Sequence, residues 1–411
     1  MNGLAPDPAL PQRDLLLDDQ QMATRLSLLI DGRGPAVIDS CEKQRVKYRI
    51  GESLRVLYRL AVNGRAHLVA AKAFAGPHAE TTDVSELKSA QLVDADIRAA
   101  FWMFPNDRKI KHLSLLHEMP ETLTTVVNAK WRHSERVAYV PEKCATVRCL
   151  DRDSQTIGYA KMYAAAEGRN LGETYLQLSS VCAHVVKPLE YSRPYDLLLL
   201  ETVPGNRISD LKNKDLSAGF AALAQALAAL HSAPIPGQLP RFRRHDPDRL
   251  CNCARIIGMG RPDVAIVADE LNRELCSAIP AEEPSVCLHG DVHPKNGIAL
   301  NGRVTLIDLD QSAVGPAAAD LGSMLALLYY NCRIGLITHR RERELASAFL
   351  DAYAGSRQLP TQTSLGWHTA AALLSERALR SVNRLRPEGL HHLSRLLNDA
   401  REILRTGGVH S

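Results

Sequence analysis

Apolar residues in the first part of the chain concentrate between Leu15 and Ile30, where leucines and an isoleucine can line one face of a helix. That pattern, after a proline-rich start, predicts a helical leader over residues 1–40. The pattern then changes to that of strands. Residues 54–61 and 66–74 flank Asn63-Gly64, a dipeptide suited to a two-residue hairpin turn, and predict an antiparallel pair. A related pattern returns later: residues 46–56 align without gaps to residues 137–147, so that Val46, Tyr48 and Val56 match Val137, Tyr139 and Val147. Each copy leads through a turn to a strand that carries a lysine. In the first copy it is Lys72; in the second, after Asp151-Arg152-Asp153-Ser154, it is Lys161 within residues 156–163.

Downstream of Lys161 a helix is predicted over residues 171–181, then an apolar stretch at 185–189 and the run Leu197-Leu198-Leu199-Leu200-Glu201-Thr202-Val203-Pro204-Gly205. Beyond Pro204 helical spacing takes over. Phe220, Leu223, Leu227 and Leu230 recur at that spacing, and residues 321–330, 343–353, 367–385 and 390–404 read the same way. The expected class is α+β. Its parts are the leader, an extra β-module over 41–133, a sheet-rich segment over 134–205, and a helical region over 206–411.

Composition narrows the function classes. With 411 residues, 45% hydrophobic and 23% charged, the chain can build two or three cores. A net charge of +4 falls short of the concentrated basic surface that nucleic-acid binding leaves, so no nucleic-acid partner is expected. No basic, apolar signal segment opens the chain, and no apolar run approaches the roughly 20 residues of a membrane span. Nine scattered cysteines suit free thiols in a reducing compartment. A cytoplasmic protein without membrane contact is the expectation; the oligomeric state is left open.

The chemistry concentrates in His289-Gly290-Asp291-Val292-His293-Pro294-Lys295-Asn296 and the strand-like Val304-Thr305-Leu306-Ile307-Asp308-Leu309-Asp310. An alcohol attacking the γ-phosphate of ATP needs a carboxylate to orient it and take its proton, and Mg²⁺ needs oxygen ligands. Asp291 suits the first task. Asn296, five residues on, and Asp308, at the end of a hairpin strand, suit the second.

This segment resembles the catalytic loop of protein kinases, with His-Gly-Asp in place of His-Arg-Asp, and more closely that of aminoglycoside phosphotransferases and related small-molecule kinases. The resemblance implies a bilobal protein kinase-like fold, with an antiparallel-sheet N-lobe and a helical C-lobe. It makes Asp291 the base, Asn296 and Asp308 the metal ligands, and His289 a structural residue beneath the loop. His293 occupies the place of a kinase lysine, either as an imidazolium near the transferred phosphate or as a loop histidine bonded to backbone. Asp310 is a second metal contact or a group that orients Asp308, and Asp320 is a structural aspartate opening a helix.

The paired strands and lysine resemble a kinase N-lobe seen twice. Only the second copy runs on into a hinge-like segment, so Lys161 is taken over Lys72 for the phosphates, with Glu173 as its carboxylate partner. Backbone groups near Glu201 and Val203 would meet adenine. Residues 101–107 lack hinge character. The turn Pro141-Glu142-Lys143-Cys144 has none of the glycines that cover phosphates in protein kinases, which leaves GTP open beside ATP. Arg241, Arg243, Arg244, Arg249, Arg255 and Arg261 outnumber Asp246 and Asp248 where the acceptor would be covered, against a polycationic acceptor. The expected activity is ATP- and Mg²⁺-dependent phosphorylation of a hydroxyl on a small molecule, a sugar-like metabolite or antibiotic. The alternative is an inactive kinase-like scaffold. Neither G-x-x-x-x-G-K-[ST] nor G-x-S-x-G occurs.

Overall fold

The structure, a computed structural model, describes residues 3–31, 38–75, 90–164, 171–237 and 239–407. The polar stretch at 79–86 lies outside them. The chain divides into two compact units, one of Met1–Arg169, Leu189–Leu200 and Asn383–Leu385, the other of Asn170–Pro188, Glu201–Val382 and Arg386–Ser411.

The first unit holds the leader helix α1 (Asp19–Asp31) and two five-stranded sheets. The first sheet contains β1 (Ile38–Arg49), β2 (Ser53–Val62), β3 (Arg65–Phe74), β4 (Leu92–Asp94) and β5 (Ala99–Met103), in the order β1-β2-β3-β5-β4. The second contains β6 (His133–Val140), β7 (Cys144–Leu150), β8 (Thr156–Tyr163), β9 (Pro188–Ser192) and β10 (Leu197–Leu200), in the order β6-β7-β8-β10-β9. The two orders are the same. Register repeats too: Arg49 faces Ser53 as Val140 faces Cys144, and Lys72 faces Arg55 as Lys161 faces Thr146. Asn63 and Gly64 form the predicted turn, with φ of 49° and 72°.

Period-two alternation divides the faces of the first sheet. Val56, Tyr58 and Leu60 pack with Leu16, Met22 and Leu26 of the leader, which explains why that leader is helical and ordered against the sheet. Leu57 and Ala70 point the other way, into a core with Trp131, Val147, Met162 and Leu199 around the second sheet. Each such fully buried side chain contributes about 1.5–3 kcal/mol.

Residues 101–107, read in sequence as lacking hinge character, begin on a strand: Phe101-Trp102-Met103 lies on β5, which holds in its sheet the place that β10 holds in the second. What differs is the continuation. Asp107 accepts hydrogen bonds from the amides of Lys109 (2.7 Å) and Ile110 (2.9 Å), which turns the chain at once.

The second unit carries α2 (Leu171–Val181), α3 (Asn213–Ser232), α4 (Pro247–Gly260), α5 (Ala265–Ser277), α6 (Ala317–Arg333), α7 (His339–Ala354), α8 (Gln362–Ala372) and α9 (Leu393–Thr406). Small ladders lie among them: β11 (Asn206–Arg207), β13 (Gly297–Leu300) and β14 (Arg303–Leu306) form one sheet, and β12 (Ser285–Leu288) pairs with β15 (Ala313–Pro316). α6 is apolar nearly all round and buried, as a central helix must be. α9 buries Leu393, Leu396, Leu397, Ala400 and Ile403, an i, i+3, i+4, i+7 stripe. The helix expected over 367–385 is interrupted by a π-helical stretch, Leu373–Ala378. Such stretches are rare and concentrate at functional sites.

Candidate active site

β12 delivers a buried run, Val286, Cys287 and Leu288, into the second unit, and the chain must turn sharply to bring Asp291 back out. Gly290 makes that turn at φ 76°, and a Cβ there would lie 1.9 Å from the Gln311 carbonyl oxygen. Only glycine fits. Asp320, in the first turn of α6, fastens the turn: its carboxylate accepts from the amides of His289 (2.7 Å) and Gly290 (2.9 Å) and lies 3.2 Å from His231 Nε2. A carboxylate at a helix N-terminus is also favoured by the helix dipole.

His289 is fully buried. Its Nε2 donates to the Ile307 carbonyl (3.0 Å) while Nδ1 accepts from the Asp291 amide (3.3 Å), so one ring ties the loop to the segment before Asp308. Asn296 adds two ties. Its Nδ2 donates to the Asp291 carbonyl (3.0 Å), and its own carbonyl accepts from the Ile307 amide (2.8 Å). With the amide nitrogen so engaged, Oδ1 is the atom Asn296 has left to offer. Asp308 follows Ile307 in the left-handed region, φ 64°.

Asp310 Oδ1 accepts from the Tyr175 hydroxyl (3.0 Å), whose oxygen in turn accepts from the Leu309 amide (2.9 Å). Tyr175 is buried on α2, so this helix, with Glu173 in its first turn, is stitched to the Asp308 turn. Glu201 is engaged by Lys187 on both sides: its amide donates to the Lys187 carbonyl (3.0 Å), and its Oε1 accepts from the Lys187 amide (2.9 Å). The Glu201 carbonyl and the Val203 amide make no hydrogen bond among the described residues.

Arginines stand beside Asp291. Arg380 Nη2 lies 3.7 Å from Asp291 Oδ1. The π-helical stretch supplies Glu376 and Arg377; Glu376 accepts from Arg244 Nη1 (2.6 Å), Ser323 Oγ (2.8 Å) and Arg377 Nη2 (3.4 Å). Burial by itself would raise the Glu376 carboxyl, but Arg244, Arg377 and Arg380 bring it down to about 2. His293 is governed by the same surroundings. Burial, reinforced by Arg377, Lys295 and Arg380, pushes its imidazole down to about 4, and Nδ1 accepts from the Lys295 amide (3.2 Å). The Lys295 amide contact is the backbone bond that one of the two sequence-based alternatives for His293 describes.

In the first unit Lys161 is buried on β8 with its ammonium 5.3 Å from the Tyr163 ring. Its register counterpart Lys72 lies 3.5 Å from Glu142 Oε1. Arg108 Nε (2.7 Å) and Arg55 Nη1 (2.6 Å) donate to the same carboxylate. Burial opposes the Glu142 charge, yet Arg108, Arg55 and Lys72 hold its carboxyl below the usual value.

The description of the phosphotransferase enzyme family (APH) matches residues 159–373, just over half of the chain. The chain belongs to that family. Among curated proteins, none matches it by sequence. Solved structures do match. A thermostable mutant of aminoglycoside phosphotransferase APH(4)-Ia, in ternary complex with AMP-PNP and hygromycin B, aligns over 71% of this chain and 99% of its own at 15% identity, TM-score 0.50. The choline/ethanolamine kinase family protein from Mesorhizobium loti aligns over 71% and 97% at 15% identity, TM-score 0.48. The protein is a phosphotransferase of protein kinase-like fold, as the sequence resemblance implied.

In this phosphotransferase the backbone and His289 link the stretches that carry Asp291, Asn296 and Asp308. Of the six arginines singled out in sequence, Arg244 reaches this neighbourhood; Arg261 instead pairs with Asp263 (2.6 Å) and Arg255 with Asn252 (2.9 Å). Tyr175, Glu376, Arg377 and Arg380 went unmarked because each sits within an ordinary helical pattern. The arginine density of Arg377, Arg380, Arg384 and Arg386 was the available signal.

Proposed function

We propose that this phosphotransferase transfers the γ-phosphoryl group of ATP to a hydroxyl of a small molecule. The observation that carries the reading is the loop pinned by Asp320 and His289, with Asp291 on it and Asn296 and Asp308 at its edges. In that role Asp291 orients the hydroxyl and accepts its proton as the oxygen bonds to the γ-phosphorus. The bond to the β–γ bridging oxygen breaks and ADP leaves.

Asn296 Oδ1 and the Asp308 carboxylate are hard oxygen donors, the chemistry that suits Mg²⁺, which when bound offsets phosphate charge. The orientation of the Asn296 amide, nitrogen to the Asp291 carbonyl, fits that use. Lys161 is assigned to the phosphates and Glu173 to its support. Adenine is assigned to the Glu201 carbonyl and the Val203 amide, since the Glu201 amide is already bonded. The AMP-PNP in the APH(4)-Ia complex supports an adenine nucleotide over GTP.

Arg380 and Arg377 beside Asp291 favour a neutral or anionic acceptor, a sugar-like metabolite or antibiotic without clustered amines. No helix among the described residues is long and apolar enough to cross a membrane, and nine free cysteines suit the cytoplasm. The test is ATP turnover with Mg²⁺ against sugars, sugar acids, amino sugars and amino alcohols. Asp291→Ala should lower turnover by roughly 10²–10⁴-fold, the range for a general base, and retain AMP-PNP binding. Undiminished turnover would remove Asp291 from the mechanism.

A further inference from the structure

The extra β-module invites a functional account, and Glu142 supplies one. The two copies of the β-module share a turn hydrogen bond: the Glu52 amide donates to the Arg49 carbonyl (3.0 Å), and the Lys143 amide to the Val140 carbonyl (3.0 Å). The residue before that amide has a left-handed backbone in both copies. In the first it is Gly51, φ 74°, with open space around it; in the second it is Glu142, φ 61°. Glycine adopts this conformation freely and glutamate does not. A side chain kept at a strained position is there for what it binds.

What it binds is the first module. Arg55 comes from β2, Lys72 from β3 and Arg108 from the segment after β5, and all three converge on the Glu142 carboxylate. Asp107 completes the fastening, since its Oδ2 accepts from the Glu142 amide (2.9 Å) and from the Tyr139 hydroxyl (2.7 Å). Lys72, whose counterpart Lys161 is assigned to phosphate, is thus committed to a protein carboxylate.

We propose that the first β-module is a brace for the nucleotide site, and that Glu142 is its positioning residue. Resting on the nucleotide reading above, the β6–β7 turn stands where protein kinases cover the phosphates with glycines. A mobile glycine loop orders when nucleotide binds. Here the order is supplied in advance by Arg55, Lys72, Arg108 and Asp107, so less entropy is lost on binding.

The experiment is AMP-PNP affinity with Mg²⁺, together with KM for ATP, KM for the acceptor and kcat, in the full chain and in Glu142→Gly. Glycine satisfies the left-handed backbone and keeps the amide bond to Asp107, so the turn remains permitted while its side-chain fastening to Arg55, Lys72 and Arg108 is lost. ATP KM and AMP-PNP Kd should rise roughly tenfold or more, as when a supporting contact to a site is removed, and the loss should fall on these rather than on acceptor KM. Arg108→Gln, which leaves Arg55 and Lys72 on Glu142, should move both values the same way by less. The double variant should be no worse than Glu142→Gly alone. Unchanged nucleotide affinity in both folded variants, or equal losses for nucleotide and acceptor, would overturn the brace. Absence of AMP-PNP binding in the unaltered chain would overturn the nucleotide reading itself, and the brace with it.

Discussion

Lys72 and Lys161 occupy one register position in two sheets of identical strand order: Lys72 lies between Arg55 and Ala100, Lys161 between Thr146 and Leu198. Both ammoniums lie over the ring two residues on, Phe74 at 4.7 Å and Tyr163 at 5.3 Å; Lys72 also lies 3.5 Å from Glu142, and Lys161 falls in the stretch that the family description covers.

Substitution should therefore give different kinetic signatures. Lys161→Met should lower kcat by roughly 10²–10³-fold, as expected when a group that stabilises transition-state charge is lost. Lys72→Met should appear in ATP KM. Steady-state kinetics with ATP varied at fixed acceptor would decide, and a kcat collapse confined to Lys72→Met would reverse the assignment.

Gly290→Ala should be severe for so small a change. The added Cβ meets a backbone carbonyl at 1.9 Å in a left-handed conformation, so the loop carrying Asp291 must shift. A cost of about 2–4 kcal/mol is expected, visible as a lowered urea midpoint and reduced turnover together. A variant with native stability and native kcat would contradict the geometry.

Asp320 is 1% exposed and fastens two amides without touching the reacting atoms. Asp320→Ala strands the His289 and Gly290 amides in the interior, at roughly 3–5 kcal/mol. Chemical denaturation should show this loss. Asp320→Asn, which can accept at one amide only, should fall between, and equality of both variants with the native chain would refute the fastening role.

Acid should weaken the second unit before most carboxylates titrate. His245 Nδ1 and His368 Nδ1 lie 2.9 Å apart, both buried; burial pushes His245 down to about 4 and His368 well below the usual histidine range. Their folded forms are neutral, so the unfolded chain binds the extra protons. The stability they protect is whole above about pH 6.5 and drains away as pH falls toward 4. About 3 kcal/mol should be lost across that window through His245 alone, and His368 adds to the loss. Urea unfolding at pH 7, 6, 5 and 4 should show the decline, and His245→Asn should reduce its slope. A flat profile in the native chain would contradict the neutral pair.

Local chemistry was legible because its rules are local. Asn63-Gly64 requires a tight turn, the run from Leu15 to Ile30 presents one apolar face, and Asp291, Asn296 and Asp308 carry a spacing that phosphoryl transfer makes intelligible. The internal repeat was also readable, since like side chains at like positions build like sheets. The π-helical stretch at Leu373–Ala378 was not, because its residues fit a continuous helix equally well.

The sequence by itself determined many of the elements, the duplicated β-module, the reaction family and the candidate base and metal ligands. Tertiary structure decided which charges meet. Glu142 finds Arg55, Lys72 and Arg108 across sequence separations that no pattern encodes, Arg380 reaches Asp291, and burial among cations pushes the His293 imidazole below its usual range. Charge and burial are properties of surroundings, and surroundings exist only once the chain is folded.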